Sequence, residues 1–136
     1  MLAVLATAAL SACGSGEEAG TATPPVTEQG TVLTISVVAD EGAAPNVMEL
    51  TCDPAGGDRP NAEAACTKLA AADGQAAFKP TPEDQACSMI FGGPQTATIA
   101  GTYQGADVNA TFSRENGCEI NRWDALGTEV FDVPLQ

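Results

Sequence analysis

Apolar and polar residues alternate along residues 31–38, where Leu33, Ile35 and Val37 are set against Thr34 and Ser36. A period of two predicts a strand with one buried face. The alternation returns at 47–52, with Met48, Leu50 and Cys52 on one side, after a turn region at 40–46. Residues 53–57 (Asp-Pro-Ala-Gly-Gly) read as a loop. The period then changes. Residues 61–72 are rich in alanine, follow Pro60 and stop just short of Gly74, which are the start and stop signals of a helix. Ala62, Cys66 and Leu69 fall at helical spacing and are expected to face the sheet. Runs of Thr, Val and aromatic residues at 95–103 and 107–112 flank Gln104-Gly105-Ala106 and predict a β-hairpin. A last short strand is predicted at 129–133, with a helical turn near Trp123. This order predicts an α+β fold: an antiparallel sheet covered by one helix and a second helical turn. No internal repeat is visible.

The first thirty residues behave differently. Residues 1–10 are almost wholly apolar, too few to span a bilayer, and read as the core of a secretory signal peptide. Leu10-Ser11-Ala12-Cys13 resembles the lipobox of bacterial lipoproteins, in which the Cys thiol receives a lipid and becomes the mature N-terminus. That resemblance implies a signal peptide at 1–12 and lipidation of Cys13, although no Lys or Arg precedes the apolar run. The plainer alternative is an ordinary signal peptide and a secreted chain with Cys13 as a spare thiol. Residues 14–30 hold Gly, Ser, Glu, Thr, Ala and Pro with only Val26 as a larger apolar residue, so residues 13–30 read as a flexible tether. The globular domain is expected at 31–136.

Charge and chemistry narrow the function classes. Five basic residues against eighteen acidic ones give a net charge of −13, and no basic patch exists, which disfavours nucleic acid. The acidity fits a solvated surface on an exported domain. The chain has no histidine for general-base work. Glu83-Asp84 and Glu17-Glu18 fall in a loop and in the tether, where a solvated pair is the default. The sequon Asn109-Ala110-Thr111 lies inside a predicted strand, and Trp123 is expected to cover the sheet. The chain is therefore read as no enzyme, with no cofactor and no metal.

Five cysteines leave one over. With Cys13 set aside, Cys52, Cys66, Cys87 and Cys118 allow three pairings, of which the sequential one is the simplest. Export favours disulfides over metal thiolates, and the spacings do not suit zinc. Near the third cysteine stands Ala86-Cys87-Ser88-Met89-Ile90-Phe91-Gly92-Gly93-Pro94. Two readings of it remain open. Met89, Ile90 and Phe91 form a buried strand, or the Met-Ile bond rides on a loop pinned to Cys118 and is offered to a serine protease.

Leu50-Thr51-Cys52-Asp53-Pro54, Pro60, Ala65-Cys66 and Leu69-Ala70-Ala71 resemble the Streptomyces subtilisin inhibitor family. So do Cys87-Ser88-Met89-Ile90-Phe91, Tyr103-Gln104-Gly105 and Asn116-Gly117-Cys118-Glu119-Ile120-Asn121, in the same order across 31–133. The resemblance implies a five-stranded antiparallel sheet with two helices on one face, two disulfides (Cys52–Cys66 and Cys87–Cys118) and a homodimer. It implies a reactive bond at Met89–Ile90, a binding loop including Ala86, Cys87, Ser88, Phe91 and Gly92, and support of that loop by Asn116. Ser88 stands where many members have Pro, and Gly92-Gly93-Pro94 is one residue longer than the usual connection.

The function so implied is reversible, substrate-like inhibition of exported serine proteases of subtilisin or chymotrypsin type, on a membrane-tethered lipoprotein at the extracellular face. The alternative is a non-inhibitory surface lipoprotein that keeps the fold for binding or packing.

Overall fold

The computed structural model describes residues 30–134. The expected signal peptide, Cys13 and all but the last residue of the tether lie outside the described residues. Within them the chain runs β1 (Thr31–Val38), β2 (Asn46–Cys52), β3 (Gly56–Gly57), α1 (Ala62–Ala71), α2 (Gly74–Ala77), β4 (Thr96–Tyr103), β5 (Ala106–Phe112) and α3 (Gly117–Phe131). The strands form one antiparallel sheet in the order β3-β2-β1-β4-β5.

The alternation read from the sequence sets the register. Ile35 pairs with Met48 on one side and Ile99 on the other; Leu33 pairs with Leu50 and Gly101. Ile99 continues to Ala110, and Ala97 to Phe112. All these side chains point to one face, where Leu33, Ile35, Leu50 and Ile99 are fully buried. The β4–β5 connection is the two-residue turn Gln104-Gly105, with φ of +49° and +82°. Positive φ at both positions matches the right-handed twist of the flanking strands, and glycine takes it at little cost.

Helices α1 and α3 cover the apolar face. From α1 come Ala62, Ala65 and Leu69, so Ala65 is buried where Cys66 was expected; Cys66 is half-buried and bonded to Cys52. From α3 come Trp123, Leu126, Val130 and Phe131. The Trp123 and Phe131 rings lie 4.3 Å apart, and Phe131 meets Phe112 edge-on at 5.2 Å. Arg59 locks the end of α3: Nη1 donates to the Val130 carbonyl at 2.7 Å and Nη2 to the Glu129 carbonyl at 2.9 Å. Burial pushes its pKa below the usual range, and the charges of Asp132 and Asp58 oppose that.

Two elements differ from the sequence reading. Residues 129–133 are no strand: Glu129 to Phe131 complete α3, and Asp132 ends it in the left-handed region. The helix kinks at Gly127 (φ +66°) and resumes, so that Val130 and Phe131 bury beside Trp123 and Leu126, and this burial outweighs a five-residue run that is ambiguous alone. The fifth strand is Gly56–Gly57, from the stretch read as a loop; it pairs with Thr51 and Leu50. A third helix, the single turn α2, was not expected as a separate element.

Candidate functional site

Between α2 and β4 the chain passes through residues 78–95 without helix or strand. Its middle holds the most exposed large apolar side chains among the described residues. Met89 is 93% exposed, Phe91 69% and Ile90 62%. The buried-strand reading of these residues is thereby set aside. A surface run of this kind is costly in water unless something covers it.

The ends of the run are held. Cys87 is bonded to Cys118 in the first turn of α3, with Cα atoms 5.4 Å apart. The Gly117 N–H donates to the Ser88 carbonyl at 2.9 Å. A Cβ on Gly117 would fall 2.0 Å from Ser88 Oγ and 3.2 Å from its Cβ, so glycine lets the two chains meet. Beyond the run, the Gly92 N–H donates to the Arg114 carbonyl at 2.7 Å, and Arg114 Nε donates to the Gly92 carbonyl at 3.2 Å. Met89, Ile90 and Phe91 are thus the span between two clamps.

The start of α3 is the platform for the first clamp. Asn116 is its N-cap, and Asn116 Oδ1 accepts from the Glu119 N–H at 3.0 Å, satisfying one of the helix's free donors. Asn116 therefore fixes the turn carrying Gly117 and Cys118. Glu119 holds the approach to the loop: one carboxylate oxygen accepts from the Thr81 hydroxyl at 2.6 Å, the other from Arg122 at 2.8 Å. Arg122 also donates to the Thr111 carbonyl at 3.0 Å and lies over the Phe112 ring.

The structure brings Cys87, Ser88, Gly92, Asn116 and Cys118 together around Met89 and Ile90, with exposed Ala86 leading into the loop. Sequence reasoning missed Arg114, Thr81 and Glu119. For Arg114 a signal exists. The inward positions of β5 are Val108, Ala110 and Phe112, and the next in that series is Arg114, an arginine in a core register.

The arrangement is an exposed peptide presented on a braced scaffold. The family model for subtilisin inhibitor-like proteins matches residues 29–116, ending at the N-cap of α3. The chain belongs to the subtilisin inhibitor-like family. The subtilisin inhibitor of Streptomyces violaceus is 34% identical over 84 residues, 60% of this chain and 57% of its own length. Subtilisin inhibitor-like protein 5 of Streptomyces fradiae is 36% identical over 74 residues, 54% of this chain and 68% of its own. The match thus spans little more than half of the first relative. Among solved structures, sermetstatin of Streptomyces caespitosus, crystallised in complex with Bacillus licheniformis subtilisin, matches at a TM-score of 0.48. It is 23% identical, and the match covers 75% of this chain and 96% of that one.

Proposed function

We propose that this chain is a substrate-like, reversible inhibitor of exported serine proteases of subtilisin or chymotrypsin type, with Met89–Ile90 as the reactive bond, tethered to the extracellular face of the cell membrane by a lipid on Cys13. The observation that carries this reading is the exposure of three consecutive apolar side chains between two clamped ends. A flexible peptide loses conformational entropy on binding; a loop already held loses less, so more contact energy remains as affinity. The protease supplies the triad and the oxyanion hole. The inhibitor supplies shape and Met89, whose long apolar side chain suits an apolar primary pocket.

The tether follows from residues 1–30. A diacylglyceryl group on Cys13 carries two acyl chains, enough for stable attachment, and the stretch at 14–30, rich in Gly, Thr and Glu, gives the domain reach. The homodimer implied by family resemblance belongs to the same proposal. The sheet face away from the helices exposes Val32 and Val47.

A second reading, a non-inhibitory surface lipoprotein, is favoured by Ser88 in place of Pro and by the added Gly92-Gly93, with Gly93 at φ +134°. Titration of the full chain against subtilisin separates the two. Inhibition with slow cleavage at Met89–Ile90 alone, read by mass spectrometry, supports the first. Rapid cleavage at several bonds without inhibition supports the second. Cys13→Ala tests the anchor: it should release the protein from the membrane fraction or block its processing, and unchanged partitioning would sink that part.

A further inference from the structure

The two halves of the exposed loop are held by different means. Before the Met89–Ile90 bond the tie is covalent, through Cys87–Cys118, and is reinforced by the Gly117–Ser88 hydrogen bond. After it no covalent cross-link holds the chain. Arg114 holds it instead, since its carbonyl takes the Gly92 N–H and its Nε reaches the Gly92 carbonyl. One residue thus satisfies both backbone groups of Gly92.

The guanidinium is preset for that contact. The Arg114 side chain is only 9% exposed, its Nη1 lies 2.8 Å from Asp124 Oδ1, and it stands 5.9 Å from the centroid of the Trp123 ring. A buried guanidinium needs a partner, and Asp124 supplies it, fixing the fork so that Nε faces the loop. The loop is cut to match. A Cβ on Gly92 would lie 2.8 Å from Ile120 Cδ1 and 3.2 Å from Arg114 Nε. Glycine is what lets the backbone settle onto this surface.

The asymmetry matters once a protease attacks. The enzyme's serine oxygen bonds to the Met89 carbonyl carbon, the C–N bond breaks, and the Ile90 nitrogen leaves as an amine carrying a proton delivered by the enzyme's base. Two reactions then compete for the ester. The Ile90 amine re-forms the peptide bond and a proton returns to the serine oxygen, or water gives the Met89 carboxylate and free serine. The balance depends on how long the amine stays within reach. After the cut, Ile90 is attached through Phe91 to Gly92, and so to Arg114.

We infer that Arg114, fixed by Asp124, is the positioning residue that retains the leaving strand, so that it sets the durability of inhibition rather than its initial strength. This rests on the inhibitor reading of the loop. Initial affinity belongs to Met89 and to the disulfide half, while the hydrogen bonds of Arg114 go to Gly92 and Asp124.

The test uses the full chain with subtilisin and four variants: Arg114→Met, Arg114→Lys, Asp124→Asn and Gly57→Ala. Gly57→Ala disturbs the sheet edge remote from the loop. The readouts are the initial inhibition constant, the melting temperature without protease, and the rate at which chain cut at Met89–Ile90 accumulates. Losing one charge-assisted hydrogen bond should raise accumulation about tenfold in Arg114→Met, with a much smaller change in initial inhibition. Arg114→Lys keeps a donor and the charge opposite Asp124 and should recover part of the loss. Asp124→Asn should shift the rate the same way by less; if Arg114→Met does not fold, this variant decides. Wild-type rates in Arg114→Met or Asp124→Asn overturn the inference. So does an equal rise in Gly57→Ala, because cleavage would then follow stability alone. A wild-type chain that neither inhibits nor is cut at Met89–Ile90 overturns the reading of the loop, and this inference with it.

Discussion

Met89 is 93% exposed and held only through its neighbours, so its side chain is free to serve a partner. This separates its effect on binding from its effect on folding. Met89→Lys should move the specificity from subtilisin-type enzymes toward trypsin-type ones, because a buried pocket acid then gains a partner. Met89→Asp should weaken subtilisin binding by about 3–5 kcal/mol, the cost of burying an unpaired charge. Neither should lower the melting temperature measurably, since an exposed tip carries little of the core. Inhibition assays against both enzymes beside thermal unfolding check this. A domain that melts with Met89→Lys while subtilisin binding is untouched would make Met89 a packing residue. The sequence carried Met89 and its disulfide because cysteines and their neighbours are local signals. The core register marks Arg114 as unusual, but its role lies in Gly92 and Asp124, neither adjacent to it in the chain.

Strands β1, β2, β4 and β5 and helix α1 were legible because side chains announce them, through alternation in the strands and through Pro60 and Gly74 around the helix. Strand β3 was not, because it is two glycines whose pairing with β2 is entirely backbone. The end of α3 was misread because Gly127 interrupts it at φ +66° and leaves a short apolar run that looks like a strand. The same glycine logic makes β3 testable. Gly57 sits at φ +109°, and a Cβ there would fall 2.1 Å from the Glu49 carbonyl oxygen, a backbone atom that cannot swing aside. Gly57→Ala should therefore cost about 1–3 kcal/mol through strain and loss of the edge pairing, read as a lower urea midpoint. Its initial inhibition constant should stay at the wild-type value, because β3 and β5 are opposite edges of the sheet and the loop's second clamp follows β5.

A net charge of −13 on the chain makes any group that gains negative charge sensitive to its surroundings. Tyr103 is where this meets the core. It is 4% exposed, sits at the β4–β5 turn, packs edge-on against Phe78 at 5.4 Å, and lies under Gly74 of α2. Its phenol pKa is raised, first by burial and then by the charges of Asp73 and Asp53. The sign follows from proton counting. Below pH 10, the ordinary value, folded and unfolded chains both hold the proton, and the stability is intact. Above it the unfolded chain releases the proton while the folded one retains it, so the unfolded state is favoured progressively until the folded phenol also ionises. Stability should therefore fall from about pH 10 upward. Tyr103→Phe keeps the ring against Phe78 and removes the proton. Urea midpoints at pH 8 and pH 11 should drop less in this variant than in the wild type, while losses shared by both cancel in the comparison. Equal drops would mean that the phenol ionises alike in both states and that burial at the turn does not hold its proton.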